Sequence, residues 1–274
     1  MKTHSFSNSI IQPSNIAQRE SLPSSSPEES THKVDLFFHP YEGSEEEIKN
    51  YKIVVVVDVL RSGTSIPIAL SNDAREIIPV ADISHATELA SQLERDYLLL
   101  CGEREGRMIS GFHLGNSPSE YHRDRVRGKT LIFATTNATP ALVRWSYAQT
   151  VYLCGLVNLP AVVQMVIKHL ELFPLAVVCA GRDGRFALED AVCGGVLIKE
   201  IENALTDQLY LNDAARAARL LAKEYGGDLY ELLRMCDYGQ YLITIGMEQD
   251  LNICASLGVL PVVPVMSDLK LIKG

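Results

Sequence analysis

Nearly all the chemistry open to this chain sits in four polar clusters, each directly after a short apolar run. The first is VVVVDVLRSGTS, where Asp58 and Arg61 follow four valines. A carboxylate at a strand end is a natural Mg²⁺ ligand or nucleophile. The turn that follows, with Ser62, Thr64 and Ser65, offers hydroxyls and backbone N–H groups that could cradle a phosphate at a helix start. The competing reading has Asp58 capping a turn and Ser62 or Thr64 capping the helix. The second cluster, CGEREGRMISGFHLGNSPSEY, places Glu103 between apolar residues and the cations Arg104 and Arg107, in a long glycine-bearing loop. Loops of that length in compact domains are often functional. Its Ser117-Pro118-Ser119-Glu120 stretch has the spacing of a capping box, with proline at the first helical position.

The third cluster is ATTNATP. Thr135, Thr136 and Asn137 read as a neutral anion nest before a helix that Pro140 begins, with Thr139 as a plain cap in the alternative. The fourth is CAGRDGRFALED, in which Arg182 and Arg185 occupy a loop and Glu189 and Asp190 open a helix. Acids in a first helical turn can simply complement the helix dipole; an adjacent pair near a strand end can also complete a metal site. Together the clusters supply hard oxygens from Asp58, Glu103, Glu189 and Asp190. Arg61, Arg104, Arg107, Arg182 and Arg185 add fork donors for phosphate, sulfonate or carboxylate. That set suits metal-assisted phosphoryl transfer to water.

The elements that must hold these clusters are legible in the apolar pattern. Short runs at 34–38, 53–57, 76–80, 98–100, 131–134, 151–153 and 176–178 lack two-residue alternation, as strands buried on both faces do. Helical patterns lie between them at 65–70, 84–94, 118–123, 140–147, 160–170 and 189–205. The alternation predicts a layered α/β/α fold with a mainly parallel or mixed sheet, in which ligands bind beyond the carboxyl ends of the strands. A helical C-terminal segment follows, at 212–225, 229–235 and 238–257. Then comes VLPVVPVM, whose prolines confine it to a sheet edge or an irregular position.

The chain has 274 residues, enough for one large domain or two lobes. Residues 1–32 are rich in Ser, Asn, Gln, Pro and Glu and read as a disordered tail, leaving 33–274 as the folded domain. With a net charge of −9 and a pI near 5.3, and no basic patch, nucleic acid is not an expected partner; a small phosphorylated anion is. No apolar run is long enough for a membrane helix, and the tail lacks the apolar core of a secretory signal. Six cysteines without CxxC or zinc spacing read as buried free thiols in a reducing cytoplasm. A homodimer is a candidate assembly only because two-fold assemblies are common.

The four blocks in order, VDVLRSGTS, GEREGRMISGFHLGNSP, TTNAT and CAGRDGRFALED, resemble those of the 2-phosphosulfolactate phosphatases, and the match runs from about residue 34 to 264. The family pattern is similar to VDVLRAxTT, GER…GFDLGNSP, TTNGT and CAG…ED. Here Ser62-Gly63, His113 and Ala138 depart from it, His113 standing where an acid is usual. The resemblance implies an α/β enzyme that removes phosphate from (R)-2-phospho-3-sulfolactate with Mg²⁺, a step on a route to coenzyme M. By motif position Asp58, Arg61, Glu103, Asn116, Ser117, Thr135, Asn137, Glu189 and Asp190 would line the site. The expected arrangement has Mg²⁺ held by Asp58, Glu103 and one of Glu189 or Asp190. Arg61 and the helix starts near Ser65 and Ser117 face the phosphoryl group. Arg182 or Arg104 holds the sulfonate or carboxylate.

Three rivals compete. Cys179 and Arg185 have the C-x5-R spacing of thiolate phosphatases, although Val178 and Phe186 depart from that motif. VVVVDVLRSGTS superficially resembles the first motif of haloacid dehalogenases, but Leu60 stands at the second aspartate. A non-catalytic anion-binding α/β domain is the third; no Walker loop or GxGxxG supports a nucleotide.

Overall fold

The computed structural model describes residues 32–274. The tail expected over 1–32 falls, but for His32, outside the described residues. One mixed sheet organises the rest. Its strands are β1 (Lys33–Phe37), β2 (Ile53–Val57), β3 (Glu76–Val80), β4 (Leu98–Arg104), β5 (Arg107–Met108), β6 (Thr130–Ala134), β7 (Thr150–Cys154), β8 (Leu175–Cys179), β9 (Tyr210–Leu211), β10 (Pro264–Ser267) and β11 (Lys270–Lys273). The helices are α1 (Glu45–Ile48), α2 (Ser62–Ser71), α3 (Ile83–Gln92), α4 (Arg123–Val126), α5 (Ala138–Trp145), α6 (Leu159–Leu170), α7 (Leu188–Ala204), α8 (Asp213–Tyr225), α9 (Leu229–Met235), α10 (Asp237–Thr244) and α11 (Gln249–Cys254).

The sheet order is β5-β4-β6-β3-β11-β10-β7-β2-β8-β1-β9. It consists of two parallel blocks, β4-β6-β3 and β7-β2-β8-β1-β9, joined by the antiparallel hairpin β10–β11. Because β11 runs antiparallel to β3 and β10 runs antiparallel to β7, the two blocks run in opposite senses along the sheet. The clusters therefore do not share one edge of a single parallel sheet. They meet because the sheet curls. In a flat sheet β3 and β2 would lie four strand spacings apart, about 19 Å, yet α5 packs against both. Ile66 and Leu70 of α2 and Leu142 and Trp145 of α5 share one core with Val54 and Val56 of β2 and Leu131 and Phe133 of β6. The outer face of the larger block is covered by α6 and α7 through Val162, Val166, Leu197 and Ile201, and that of the smaller block lies against Ala86 and Leu89 of α3.

Local sequence explains these elements. All five residues of β2 (IVVVV) are buried, as a central parallel strand covered on both faces requires. Asn212 caps α8 through Ala215 N, and its amide also bonds both backbone groups of Leu36 on β1. Ala215, Ala218 and Ala222 form the buried stripe of α8. Gly195 of α7 lies so close to it that an added Cβ would stand 2.0 Å from Ala218 O.

Two expectations change. Residues 259–263 are irregular, one of the two positions expected, but 264–266 is not at an edge: β10 lies mid-sheet. Pro264 is tolerated there because it is the first strand residue, and the register to β7 is a single pair, Val265 with Tyr152. The helix read over 118–123 is a 3₁₀ turn (Pro118–Glu120) followed by one turn of α4. Among the described residues no helix is long and apolar enough to cross a membrane. All six cysteines are free and buried.

Candidate active site

The site is built where the carboxyl ends of the two blocks converge. Asp58 follows β2, and its carboxylate turns back to accept Ser62 N at 2.9 Å while its carbonyl accepts Gly63 N at 2.8 Å. Gly63 is required there: a Cβ would lie 2.1 Å from Asp58 O and 2.5 Å from Cys154 O. Asp190, in the first turn of α7, accepts Val59 N at 2.8 Å and Gly181 N at 3.0 Å, pinning the loops after β2 and β8 together. Glu103, near the end of β4, accepts Thr136 N and Gly106 N, both at 2.9 Å. Glu189 lies beside the Cys236 thiol, which donates to Leu233 O at 3.3 Å.

These four carboxylates are each 3–4% exposed. Burial pushes Asp58 up to about 7, and the charges of Glu103 and Glu189 add to the rise. Burial also raises Glu189, and it raises Asp190 well above the ordinary range with help from Asp58 and Glu189. The acids are thus close enough to repel one another, and the Arg182 charge offsets part of the rise at Glu189.

A pocket of about 410 Å³ opens at Glu103, the one of the four acids that lines it, together with residues that include Arg104, Asn137, Arg182, Tyr238 and Tyr241. The two blocks touch across it: Asp183 N donates to Asn137 Oδ1 at 3.0 Å, and Arg61 donates to Gly106 O at 2.6 Å. Gly106, with φ +69°, turns the β4–β5 hairpin beneath Tyr241 and Ile245.

Several residues expected to meet the substrate are committed elsewhere. Arg61 is 1% exposed and donates to Asp250 Oδ2 at 2.8 Å, to Met247 Sδ at 2.9 Å and to Gly106 O, and among the described residues its buried Nε has no partner. Its guanidinium ties α11 to the hairpin instead of presenting a fork to phosphate. The first-turn N–H groups of α2 bond to Asp58 and Arg61, so they form no open phosphate cradle. The Thr64 hydroxyl donates to Val59 O at 3.4 Å. The Thr135 and Thr139 hydroxyls bond within their own turn, and Thr136 N is taken by Glu103, which closes the expected anion nest. Ser117 makes no capping bond; it donates to Asp250 Oδ1 at 2.6 Å, while Glu120 accepts Gly115 N. Asn116 donates to the Ser62 hydroxyl at 3.2 Å, and both residues are buried. Arg104 and Arg182 are the arginines that line the pocket.

His113 is exposed, accepts Leu100 N at 2.9 Å and faces a groove with Thr87 and Ser91 of α3, so it does not enter the site. The thiolate rival fails on Cys179: the thiol is fully buried, and burial together with the charges of Asp190 and Glu189 holds its pKa well above the ordinary value, which suppresses the nucleophilic form.

Sequence reading missed Tyr238, Tyr241 and Asp250. They lie in the C-terminal helices, where an ordinary helical pattern gives no sign of what they reach. The i, i+3 spacing of the tyrosines was the one visible clue that they share a helix face.

For a metal, the donor set is suitable in kind: buried, mutually repelling carboxylates supply hard oxygens. Among the described residues, however, no three His, Cys, Asp or Glu side chains group as a metal site, so Asp58, Glu103 and Asp190 do not form the expected three-ligand cluster. Both oxygens of Glu103 and of Asp190 already accept N–H bonds. A Mg²⁺ site needs only one or two carboxylates, with water and phosphate oxygens completing it. Asp58 Oδ2, which accepts no hydrogen bond among the described residues, meets that smaller requirement.

The family model described as 2-phosphosulpholactate phosphatase matches residues 37–268. A protein of Symbiobacterium thermophilum named "probable 2-phosphosulfolactate phosphatase" is 39% identical over 79% of this chain and 92% of its own length. Proteins of the same name from Caldanaerobacter subterraneus and Thermosynechococcus vestitus are 37% and 36% identical, over 78% and 77% of this chain and 87% of their own lengths.

Proposed function

The chain belongs to the 2-phosphosulpholactate phosphatase family, and from that premise we propose that it hydrolyses 2-phosphosulfolactate, or a closely related 2-phospho acid, to the alcohol and phosphate with Mg²⁺. The observation that carries the reading is the make-up of the site. Mutually repelling buried acids reach, through Glu103, a pocket whose cations are Arg104 and Arg182.

Asp58, through Oδ2, with Glu189 as its neighbour, would hold the cation. Bound there, Mg²⁺ supplies charge neutralisation at the phosphoryl oxygens. Arg104 and Arg182 bind the substrate's anionic groups and set its orientation. Glu103 and Asp190 position the surrounding loops through their four backbone bonds. Arg61 acts indirectly, by fixing the hairpin that carries Glu103 and Arg104. Six unpaired thiols fit a reducing, cytoplasmic setting.

The test is phosphate release from 2-phosphosulfolactate and a panel of 2-phospho acids, with Mg²⁺ and with EDTA. The expected result is turnover on phosphosulfolactate that EDTA removes and added Mg²⁺ restores. Turnover indifferent to EDTA would remove the metal from the mechanism. No release from any panel member would leave anion binding without catalysis as the function.

A further inference from the structure

Tyr238 and Tyr241 stand three residues apart on α10, so both rings emerge on the same helix face. They lie nearly parallel, with centroids 6.1 Å apart and planes 12° apart. The Arg182 guanidinium sits 4.9 Å from the first ring centroid and 5.3 Å from the second. The tyrosine rings and the guanidinium line the same pocket. Tyr241 is itself fixed, because its hydroxyl donates to Glu105 O at 3.0 Å.

The two pocket arginines are not equivalent. Arg104 spends one terminal nitrogen on Glu103 O at 2.8 Å. Arg182 has one ion pair among the described residues, a 3.9 Å contact with the exposed Asp183. Stacking on ring faces orients a guanidinium without using its N–H donors. Arg182 is therefore held in direction while its planar fork stays available, the state suited to bidentate capture of a carboxylate or sulfonate.

We propose that Arg182, oriented by Tyr238 and Tyr241, selects substrates that carry a second anionic group, carboxylate or sulfonate, beside the phosphate ester, and that the two tyrosines are positioning residues for it. The inference rests on the phosphatase reading and deepens it by assigning the non-phosphate arm of the substrate. It also gives the C-terminal helices a part in specificity.

Titration calorimetry with 3-sulfolactate and, separately, inorganic phosphate tests this without requiring turnover. Binding of 3-sulfolactate should weaken about tenfold in Tyr238→Leu, the scale of one lost oriented cation–π contact in a partly desolvated site. Phosphate binding should weaken by a much smaller factor. Tyr238→Phe, which keeps the ring, should bind 3-sulfolactate like the parent protein. Arg182→Lys, which keeps the charge but loses the planar fork, should show the same selective loss. In turnover the same variants should raise KM for phosphosulfolactate more than they lower kcat. Equal weakening of both ligands in Tyr238→Leu, or parent-like binding of 3-sulfolactate by Arg182→Lys, would overturn the assignment. If Tyr238→Leu does not fold, Arg182→Lys decides alone, since that side chain is 32% exposed and its replacement leaves the core intact. Should the parent protein release no phosphate yet bind 3-sulfolactate selectively, the phosphatase reading falls and the anion clamp stands.

Discussion

Asp58→Asn should lower phosphate release by about 10²-fold or more and, in the same protein, raise the stability of the metal-free fold above neutral pH. Both effects come from one carboxylate. Oδ1 caps the first turn of α2, a bond an asparagine oxygen can keep, while the negative charge is what a cation or a developing transition state needs. Burial holds the native carboxyl at about 7 against an ordinary 3.8. The folded protein therefore binds the proton more tightly than the unfolded chain does. The stability that protonated Asp58 contributes is fully present below about pH 4 and is lost as pH rises through 7. Asparagine is neutral throughout. The variant's advantage should be near zero at pH 4 and reach roughly 1–3 kcal/mol at pH 8, given 1.36 kcal/mol per unit of pKa and discounting for shared repulsion with Glu103 and Glu189. Urea unfolding in EDTA at pH 5 and pH 8, beside a phosphate-release assay, measures both. Parent-like turnover would remove Asp58 from the chemistry. A variant less stable at pH 8 would mean that the carboxylate is compensated by neighbours.

The second large effect lies away from the pocket. Asp250→Ala should destabilise the protein by about 3–5 kcal/mol, because it leaves the Arg61 charge buried without its partner. Both side chains of this ion pair are 0% exposed, and Asp250 also accepts the Ser117 hydroxyl. The pair's net worth is a different quantity. Arg61→Leu combined with Asp250→Leu should recover much of the loss, since no charge is then stranded. Denaturant unfolding of Arg61→Leu, Asp250→Leu and their combination gives the coupling directly. An Asp250→Ala cost under 1 kcal/mol would show that water reaches Arg61. Activity should fall in Asp250→Ala as well, through the hairpin that Arg61 holds by Gly106 O.

This pair shows what the sequence could and could not convey. Asp58, Glu103, Glu189 and Asp190 were identifiable because each follows or opens a recognisable element, and the structure brings them close enough to repel one another. Their division of labour was not, because it depends on which oxygen meets which N–H. Both oxygens of Glu103 and of Asp190 go to backbone donors, and only the folded loops reveal it. Arg61 looked like a phosphate ligand because its partner Asp250 is 189 residues away, in a helix whose local pattern is unremarked. Ser117 and Glu120 matched the capping-box spacing, yet one bonds Asp250 and the other Gly115, since the turn they open is 3₁₀ and brief. The strands were legible from buried β-branched runs. The opposition of the two parallel blocks was not, because it is set by two antiparallel pairings of a hairpin far along the chain, and the apolar pattern is silent on strand direction.

That hairpin also shapes how the protein reaches its fold. The parallel blocks already pair strands far apart in sequence, Ile53 with Thr150 and Val34 with Leu175, and the seam between the blocks reaches further still. Lys270 reaches Glu76 across 194 residues, and Leu271 pairs with Ile77 in the same register. Closing so long a loop costs entropy before any contact repays it, so the seam belongs to the late part of assembly. Until it closes, β3 and β7 each present a bare edge to any other extended chain, and kinetic competition between closure and association sets the yield of native protein. Substitutions in β10 and β11 should accordingly accelerate unfolding while leaving the folding rate nearly unchanged, a partition that stopped-flow chevrons would display.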